Sequence, residues 1–94
     1  MPTYILLSTL TDEGARTLKE NPKRLQEVNK EIEKFGAKVT GQFAVLGPYD
    51  FVSIVDAPDN ETVARISAEL HARGSVRILS LPGIPVANFV RGLK

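Results

Sequence analysis

Two short segments of this chain are apolar on both faces of a β-strand, and this pattern limits its possible folds more than any other feature. In residues 3–10 and 51–55, side chains alternate between two faces, and each face is apolar. The first segment has Ile5 and Leu7 on one face and Tyr4, Leu6 and Leu10 on the other. Strands of this kind lie in the middle of a sheet that is covered on both sides. The fold must therefore cover both faces of one sheet.

Capping and breaking residues predict the helices between the strands. A helix is expected to begin at Thr11 and to be interrupted at residues 21–22, where asparagine and proline start a kink or a second helix that ends at Gly36. A later helix is expected to begin at Asp59 and to end at Gly74. The apolar stripes expected to face the sheet are Leu25, Val28, Ile32 and Phe35 in the first region and Val63, Ile66 and Leu70 in the later one.

The other strands are predicted from alternation and turn residues. Residues 38–46 alternate as a half-buried strand does, and residues 47–50 form a tight turn, so residues 51–55 return as the second strand of a hairpin. The side chains expected on the apolar side of the first hairpin strand are Val39, Phe43 and Val45. A last strand is predicted over residues 75–81.

The resulting order, β-α-β-β-α-β, predicts an α+β, ferredoxin-like fold with a four-stranded antiparallel sheet and helices on one face. We assign residues 1–82 to this domain. Residues 83–94 form an apolar tail that we expect to pack on the domain or on a neighbouring subunit. The second sheet face would leave a large apolar patch on an isolated domain. We therefore expect two sheets to pair face to face in a homodimer or a larger even-numbered oligomer.

Residues 47–59, which read Gly-Pro-Tyr-Asp-Phe-Val-Ser-Ile-Val-Asp-Ala-Pro-Asp, resemble the GYD-domain family of the dimeric α/β-barrel group. Pro48 separates the glycine from the tyrosine and aspartate that give the family its name, and Asp56 stands where a longer acid is expected. The resemblance extends over about residues 3–82. It implies a dimeric α/β barrel, and it implies no particular activity, since one fold carries many functions.

Composition excludes several classes of function. With 12 basic and 11 acidic residues the formal net charge is +1, which argues against a nucleic-acid partner. The chain has no cysteine, so it can form neither a disulfide nor a thiolate metal site. No apolar run is long enough for a membrane span or a signal core, and no glycine-rich phosphate loop is present. We expect a cytoplasmic protein that binds no membrane and carries no metal or cofactor.

Three residues are candidates for catalysis. Tyr49 and Asp50 place a phenol beside a carboxylate in the hairpin turn, where they could orient a substrate or transfer a proton. His71 is the single histidine and could also transfer a proton. Each residue also has a purely structural interpretation, in which Tyr49 packs its ring, Asp50 accepts hydrogen bonds from the turn, and His71 flanks a helix end.

Three further residues are candidates for ligand binding. Tyr4 could line a barrel interior, and Asp56 could contact a ligand at the end of its strand. Arg77 lies in an apolar strand and is the residue expected to meet an anionic ligand, or else to face a carboxylate such as Asp50 or Asp56 or solvent.

Three functions fit these observations. The favoured one is a small oligomeric binding or sensing module that holds a small apolar or anionic metabolite between sheet and helices. The second is a cofactor-free oxygenase or isomerase-like enzyme that uses Tyr49, Asp50 and His71. The third is a structural or protein-interaction subunit whose tail docks on a partner.

Overall fold

Strands and helices follow one another in the predicted ferredoxin-like order in the computed structural model, which describes residues 1–93. The strands are β1 (Thr3–Leu10), β2 (Lys38–Ala44), β3 (Phe51–Asp56) and β4 (Val76–Gly83). The helices are α1 (Asp12–Glu20), α2 (Arg24–Lys34), α3 (Asn60–Ala72) and α4 (Val86–Arg91). The strands form one antiparallel sheet in the order β2-β3-β1-β4, so β1 and β3 are its inner strands, as predicted.

Two predicted capping residues start α1 and α3. The Thr11 hydroxyl accepts a hydrogen bond from the Gly14 N–H at 3.1 Å, and the Asp59 carboxylate accepts one from the Thr62 N–H at 2.8 Å. The Thr62 hydroxyl also donates to Asp59, and these two hydrogen bonds lower the pKa of the carboxyl group. Each cap satisfies an N–H group that has no partner within its helix.

The predicted breaks define the remaining boundaries. The interruption at residues 21–22 separates α1 from a second helix, α2. Gly36 and Gly74 follow α2 and α3 with φ values of 94° and 74°, a region that glycine enters without a steric penalty. β4 continues two residues beyond the predicted end, to Gly83, and the predicted tail contains α4. Lys94, the last residue of that tail, lies outside the described residues. No helix within residues 1–93 is both long and apolar enough to cross a membrane.

The main core lies between the sheet and the helices. Its buried side chains are Tyr4, Leu6 and Val55 from the inner strands, Ile32 from α2, Ala37 and Ala57 from connections, and Val63, Ile66 and Leu70 from α3. The predicted stripe of α3 is therefore buried completely. In α2 only Ile32 is buried, and Phe35 at the helix end is 37% exposed.

A β-bulge in β2 makes one sequence prediction wrong. Val39 pairs with Val55 and Gly41 pairs with Ile54, so Thr40 is an extra residue in the ladder. An extra residue reverses the alternation beyond it, because side chains alternate with a period of two. Val39 consequently packs against the core on the helix side, whereas Phe43 lies on the opposite face of the sheet and is 62% exposed.

The sheet face opposite the helices, called the bare face here, is largely apolar, and nothing within residues 1–93 covers it. Strand register places Ile5, Leu7, Phe43, Val52, Ile54, Leu79 and Leu81 on it. Phe43, Leu79 and Leu81 are exposed and the others are half-buried. The prediction that the inner strands are apolar on both faces is confirmed, and the described part of the chain covers only the helix side.

The start of α1 touches the chain just before β4, and this contact requires a glycine. A Cβ atom at Gly14 would lie 1.9 Å from the Ser75 carbonyl oxygen, which also accepts a hydrogen bond from the Thr11 N–H at 3.1 Å. We predict that Gly14→Ala lowers the free energy of unfolding, measured by urea denaturation, by roughly 1–3 kcal/mol or more, because backbone must move. The control Ala15→Ser changes an exposed residue of the same turn and should cost about 0.5 kcal/mol or less. Equal effects of the two variants would contradict this packing.

Candidate functional site

A cavity of about 120 Å³ lies between the sheet and helices α1 and α2. Leu6, Ser8 and Phe51 line it from the sheet, and Leu25 and Val28 line it from α2. Leu25 and Val28 belong to the predicted apolar stripe, yet they are only half-buried because they face this space. The core on the helix side is therefore incomplete at α2.

The size of the cavity has an energetic consequence. Empty apolar volume enclosed in a protein core costs roughly 24 cal/mol per Å³. This cavity is partly open to solvent, so leaving it unfilled costs less than that figure gives for an enclosed space of the same size. A molecule that fills the cavity would recover part of this free energy.

A chain of hydrogen bonds forms one polar wall of the cavity. The Asn29 side-chain amide donates to Gln42 Oε1 at 2.8 Å, and Gln42 Nε2 donates to Ser53 Oγ at 2.9 Å. Ser53 is 5% exposed, so its hydroxyl needs such a partner. These hydrogen bonds connect α2 to β2 and β3, and they hold polar atoms at a fixed place beside the apolar walls.

A cluster of charged side chains lies at another edge of the cavity. Glu31 of α2 pairs with Arg24 at 3.1 Å and with Arg73, which follows α3 and also pairs with Glu69 at 3.3 Å. The hydrogen bond from Arg73 lowers the pKa of Glu31, and the same bond raises the pKa of Arg73. Both arginines line the cavity. Within residues 1–93 the buried Nη1 atom of Arg73 has no hydrogen-bond partner.

The hairpin candidates Tyr49 and Asp50 lie at the end of β1. Asp50 Oδ2 accepts the Leu10 N–H at 2.8 Å, and the Asp50 N–H donates to the Ser8 carbonyl at 2.8 Å. Asp50 thus ties the turn to the inner strand, and its carboxylate accepts a hydrogen bond from a strand N–H rather than from the turn N–H groups expected from the sequence. Tyr49 is half-buried in the same turn. A catalytic role for either residue stays a prediction.

His71 is exposed near the end of α3, and its Nε2 atom accepts the Ile78 N–H at 2.7 Å. This bond satisfies a backbone donor on the outer edge of β4, where no strand within residues 1–93 pairs. The bond requires Nε2 to be unprotonated. His71 and Asp50 therefore bond to different strands, and no described hydrogen bond joins them to each other or to Tyr49.

The three candidates for ligand binding do not share one site. Tyr4 is buried on the helix side, and its hydroxyl donates to Asn60 Oδ1 at 2.6 Å. Asp56 and Arg77 both lie on the bare face, but Asp56 is opposite Thr3 and Arg77 is opposite Thr9, near the two ends of β1. The structure does not bring these residues together in one chain.

Sequence reasoning missed the residues that surround the cavity. Asn29 and Gln42 are polar positions in an amphipathic helix and an alternating strand, and such positions normally face solvent. Arg24 and Arg73 carry no local motif. Gln42 faces the cavity because of the bulge at Thr40, which has no clear sequence signal. No group of three or more histidine, aspartate or glutamate side chains within residues 1–93 is arranged to hold a metal ion.

Comparisons with known proteins agree with the fold. A family model described as GYD domain matches residues 4–92. The glutamine synthetase and cystathionine beta-lyase binding protein of Thermus thermophilus is 57% identical over 95 residues, covering 100% of both chains. The crystal structure of TTHA0845, also from Thermus thermophilus, has a TM-score of 0.57 at 23% identity, covering 90% of this chain and 95% of that one. This second likeness concerns the fold alone.

The pairing of Glu31 with Arg73 predicts a pH dependence of stability. The folded-state pKa of Glu31 lies below its ordinary value of 4.5, so the pairing stabilises the fold above that pH. This contribution is lost as the pH falls through the lowered folded-state pKa. We predict that Glu31→Gln lowers the free energy of unfolding near neutral pH and flattens its decline in acid. Urea denaturation between about pH 3 and 7 measures both effects.

The control is Glu33→Gln, which changes an exposed carboxylate of the same helix that pairs with no base among the described residues. The free energy of unfolding of this variant should depend on pH as that of the unmodified protein does. If Glu31→Gln has the same pH dependence as Glu33→Gln, the cluster does not stabilise the fold.

Proposed function

This chain belongs to the GYD-domain family, and we propose that it is a protein-binding subunit that self-associates and docks on metabolic enzymes. A relative 57% identical over its whole length is named for binding glutamine synthetase and cystathionine beta-lyase. That likeness carries the proposal. Two exposed apolar surfaces, the bare face and the tail, support it because surfaces of this kind mark protein contacts.

The bare face is the proposed site of self-association. A second copy of the chain is the partner that fits this face best, because two apolar sheet faces can stack with their side chains interdigitated in a layer about 10 Å thick. The bare face also carries charged side chains towards its ends, because Asp56 and Lys38 lie beside Thr3 at one end and Arg77 lies opposite Thr9 at the other. A two-fold axis across the strands brings Arg77 of one copy over the end that carries Asp56 in the other.

A charged substitution on the bare face tests the pairing. Phe43→Asp would place a carboxylate in the apolar layer, where an unpaired charge is costly to bury. We predict that the dissociation constant of the pair, measured by sedimentation equilibrium, rises at least roughly a hundredfold. The matched control Phe35→Asp makes the same chemical change at the end of α2, away from the bare face, and should leave the pair intact. Equal effects of the two variants would contradict pairing through this face.

The tail is the proposed contact with the partner enzyme. The α4 side chains Val86, Phe89 and Val90 are 74%, 55% and 55% exposed, and Ile84 before them is 69% exposed. Such a row of apolar side chains, carried on a short helix, suits insertion into a groove on another protein. We propose that residues 83–94 dock on the enzyme while the bare face holds the two copies together.

Deletion of residues 84–94 tests the role of the tail independently of the bare face. We predict that the truncated chain keeps its oligomeric state in sedimentation and loses binding to purified glutamine synthetase and cystathionine beta-lyase of Thermus thermophilus, measured by biolayer interferometry. The 57% identical relative is the positive control for both enzymes. If the full chain fails to bind while the relative binds, the enzyme-docking proposal is wrong. If truncation dissociates the oligomer, the tail belongs to self-association.

The cavity favours a second function, the binding of a small molecule between sheet and helices. It combines apolar walls with a few polar groups, as small-molecule sites commonly do. These polar groups are the hydrogen-bonded side chains of Asn29, Gln42 and Ser53 and two arginines. We propose that the subunit holds a small apolar or anionic metabolite in this space. Both functions can coexist, because the cavity lies on the helix side and the pairing surface lies on the opposite side of the sheet.

A further inference from the structure

We propose that His71 closes the outer edge of β4 to strand pairing with a second copy of this chain. The edge is the surface, β4 of another copy is the partner that fits it, and the imidazole is the group that keeps the two strands apart. The hydrogen bond from the Ile78 N–H to His71 Nε2 and the direction of the other edge groups carry this inference. It depends on neither the cavity nor the tail, so it stands apart from both proposed functions.

The outer edge of β4 carries backbone groups that no strand within residues 1–93 pairs. In an antiparallel ladder, the N–H and C=O groups of successive residues point alternately to the two sides of the strand. Ile78 donates outward, to His71, so Val76 and Ser80 also point outward. Pro82, the next residue of this row, has no N–H group. The edge therefore offers three outward donors, and His71 takes the middle one.

A second β4 strand, running antiparallel about a two-fold axis at Ile78, fits this edge best. That register places Ile78 opposite Ile78 and Val76 opposite Ser80 of the other copy, so the outward donors of both copies meet carbonyl groups. It also places Arg77 opposite Leu79, so the two arginines do not face each other. The edge is thus complementary to itself in its backbone groups and in its charge.

His71 blocks this register at its centre. Its Nε2 atom lies 2.7 Å from the Ile78 nitrogen, where the carbonyl oxygen of a neighbouring strand would otherwise lie. The central pair of hydrogen bonds uses the Ile78 N–H of both copies, so the two imidazoles remove both bonds. Proteins protect open sheet edges by such devices, and β2, at the other edge of the sheet, is interrupted by the bulge at Thr40.

Two substitutions of His71 test this role in the full-length protein. Leucine has no acceptor, whereas the side-chain carbonyl of glutamine keeps one at a similar distance from the backbone. At equal protein concentration, we expect His71→Leu to raise the weight-average mass in sedimentation velocity at least about twofold above that of the unmodified protein, because each edge contact joins two assemblies. His71→Gln should keep the unmodified mass. Ala72→Leu adds a leucine at the neighbouring exposed position and should also keep it.

Ser80→Pro, added to His71→Leu, locates the contact. Proline removes the outward N–H of residue 80 and leaves the ladder with β1 intact, because that N–H points away from β1. The same strand already contains Pro82. We expect the double variant to return to the mass of the unmodified protein. Aggregation of a misfolded chain would persist in the double variant, so this variant also separates edge pairing from misfolding.

Hydrogen exchange on the unmodified protein needs no variant, so it decides the question even if His71→Leu does not fold. We expect the Ile78 amide to exchange at least about tenfold more slowly than the Ser80 amide, because the first is hydrogen-bonded and the second lies on the unpaired edge. Equally fast exchange would mean that His71 does not hold the Ile78 N–H. Equally slow exchange would mean that the edge is already paired, and either result would contradict the proposal.

Four results with the variants would overturn the proposal. If His71→Leu folds and keeps the unmodified mass, His71 does not hold the edge closed. If His71→Gln grows in mass as His71→Leu does, an acceptor at this position is not what closes the edge. If Ala72→Leu grows equally, the added leucine alone explains the growth. If the growth survives Ser80→Pro, the copies associate through another surface.

Discussion

Burial of the inner strands on both faces is the constraint on which the rest of this structure depends. On the helix side, Tyr4, Leu6 and Val55 are covered by α2 and α3. On the other side, Ile5, Leu7 and Ile54 form an apolar surface that the described residues do not cover. A chain of 94 residues buries roughly 60–65% of its surface on folding, so it has few residues to spare for a second layer. In the proposed pair, a second copy supplies that layer without any lengthening of the chain.

The two sides of the sheet serve different purposes under this account. The bare face is apolar at its centre, with Lys38, Asp56 and Arg77 towards its ends, and it suits a permanent contact between copies. The helix side contains an incomplete core, where α2 leaves a cavity and where Glu31 links α2 to Arg73 after α3. This separation allows a ligand to occupy the cavity without breaking the pair, and it leaves the tail free for a partner.

The sequence predicted the elements well because their signals are local. Thr11 and Asp59 cap helices, and Gly36 and Gly74 take positive φ values, since each role depends on a residue and its immediate neighbours. The inner strands were predicted from their two apolar faces. The sequence did not predict on which side of the sheet Phe43 lies, because the bulge at Thr40 depends on how β2 pairs with β3.

The candidate site was much less predictable than the fold. The site is defined by what comes together after folding: Glu31 of α2 pairs with Arg73 beyond α3, and α2 leaves a space unfilled beside them. Neither is visible in the sequence around residue 73. Conversely, Asp50 and His71 are conspicuous in the sequence, and the structure shows each bonded to a backbone N–H group, Asp50 at the end of β1 and His71 on the outer edge of β4.

The distance between the bare faces of two copies tests whether the sheets pair face to face. The chain has no cysteine, so Arg77→Cys provides a single attachment point for a nitroxide label on the bare face, and Arg16→Cys provides one on α1. Pulsed dipolar spectroscopy then measures the separation of labels between copies. Sheets that pair face to face stack about 10 Å apart, so the account predicts a shorter separation for labels at position 77 than for labels at position 16. No dipolar coupling at position 77, or a longer separation there than at position 16, would contradict it.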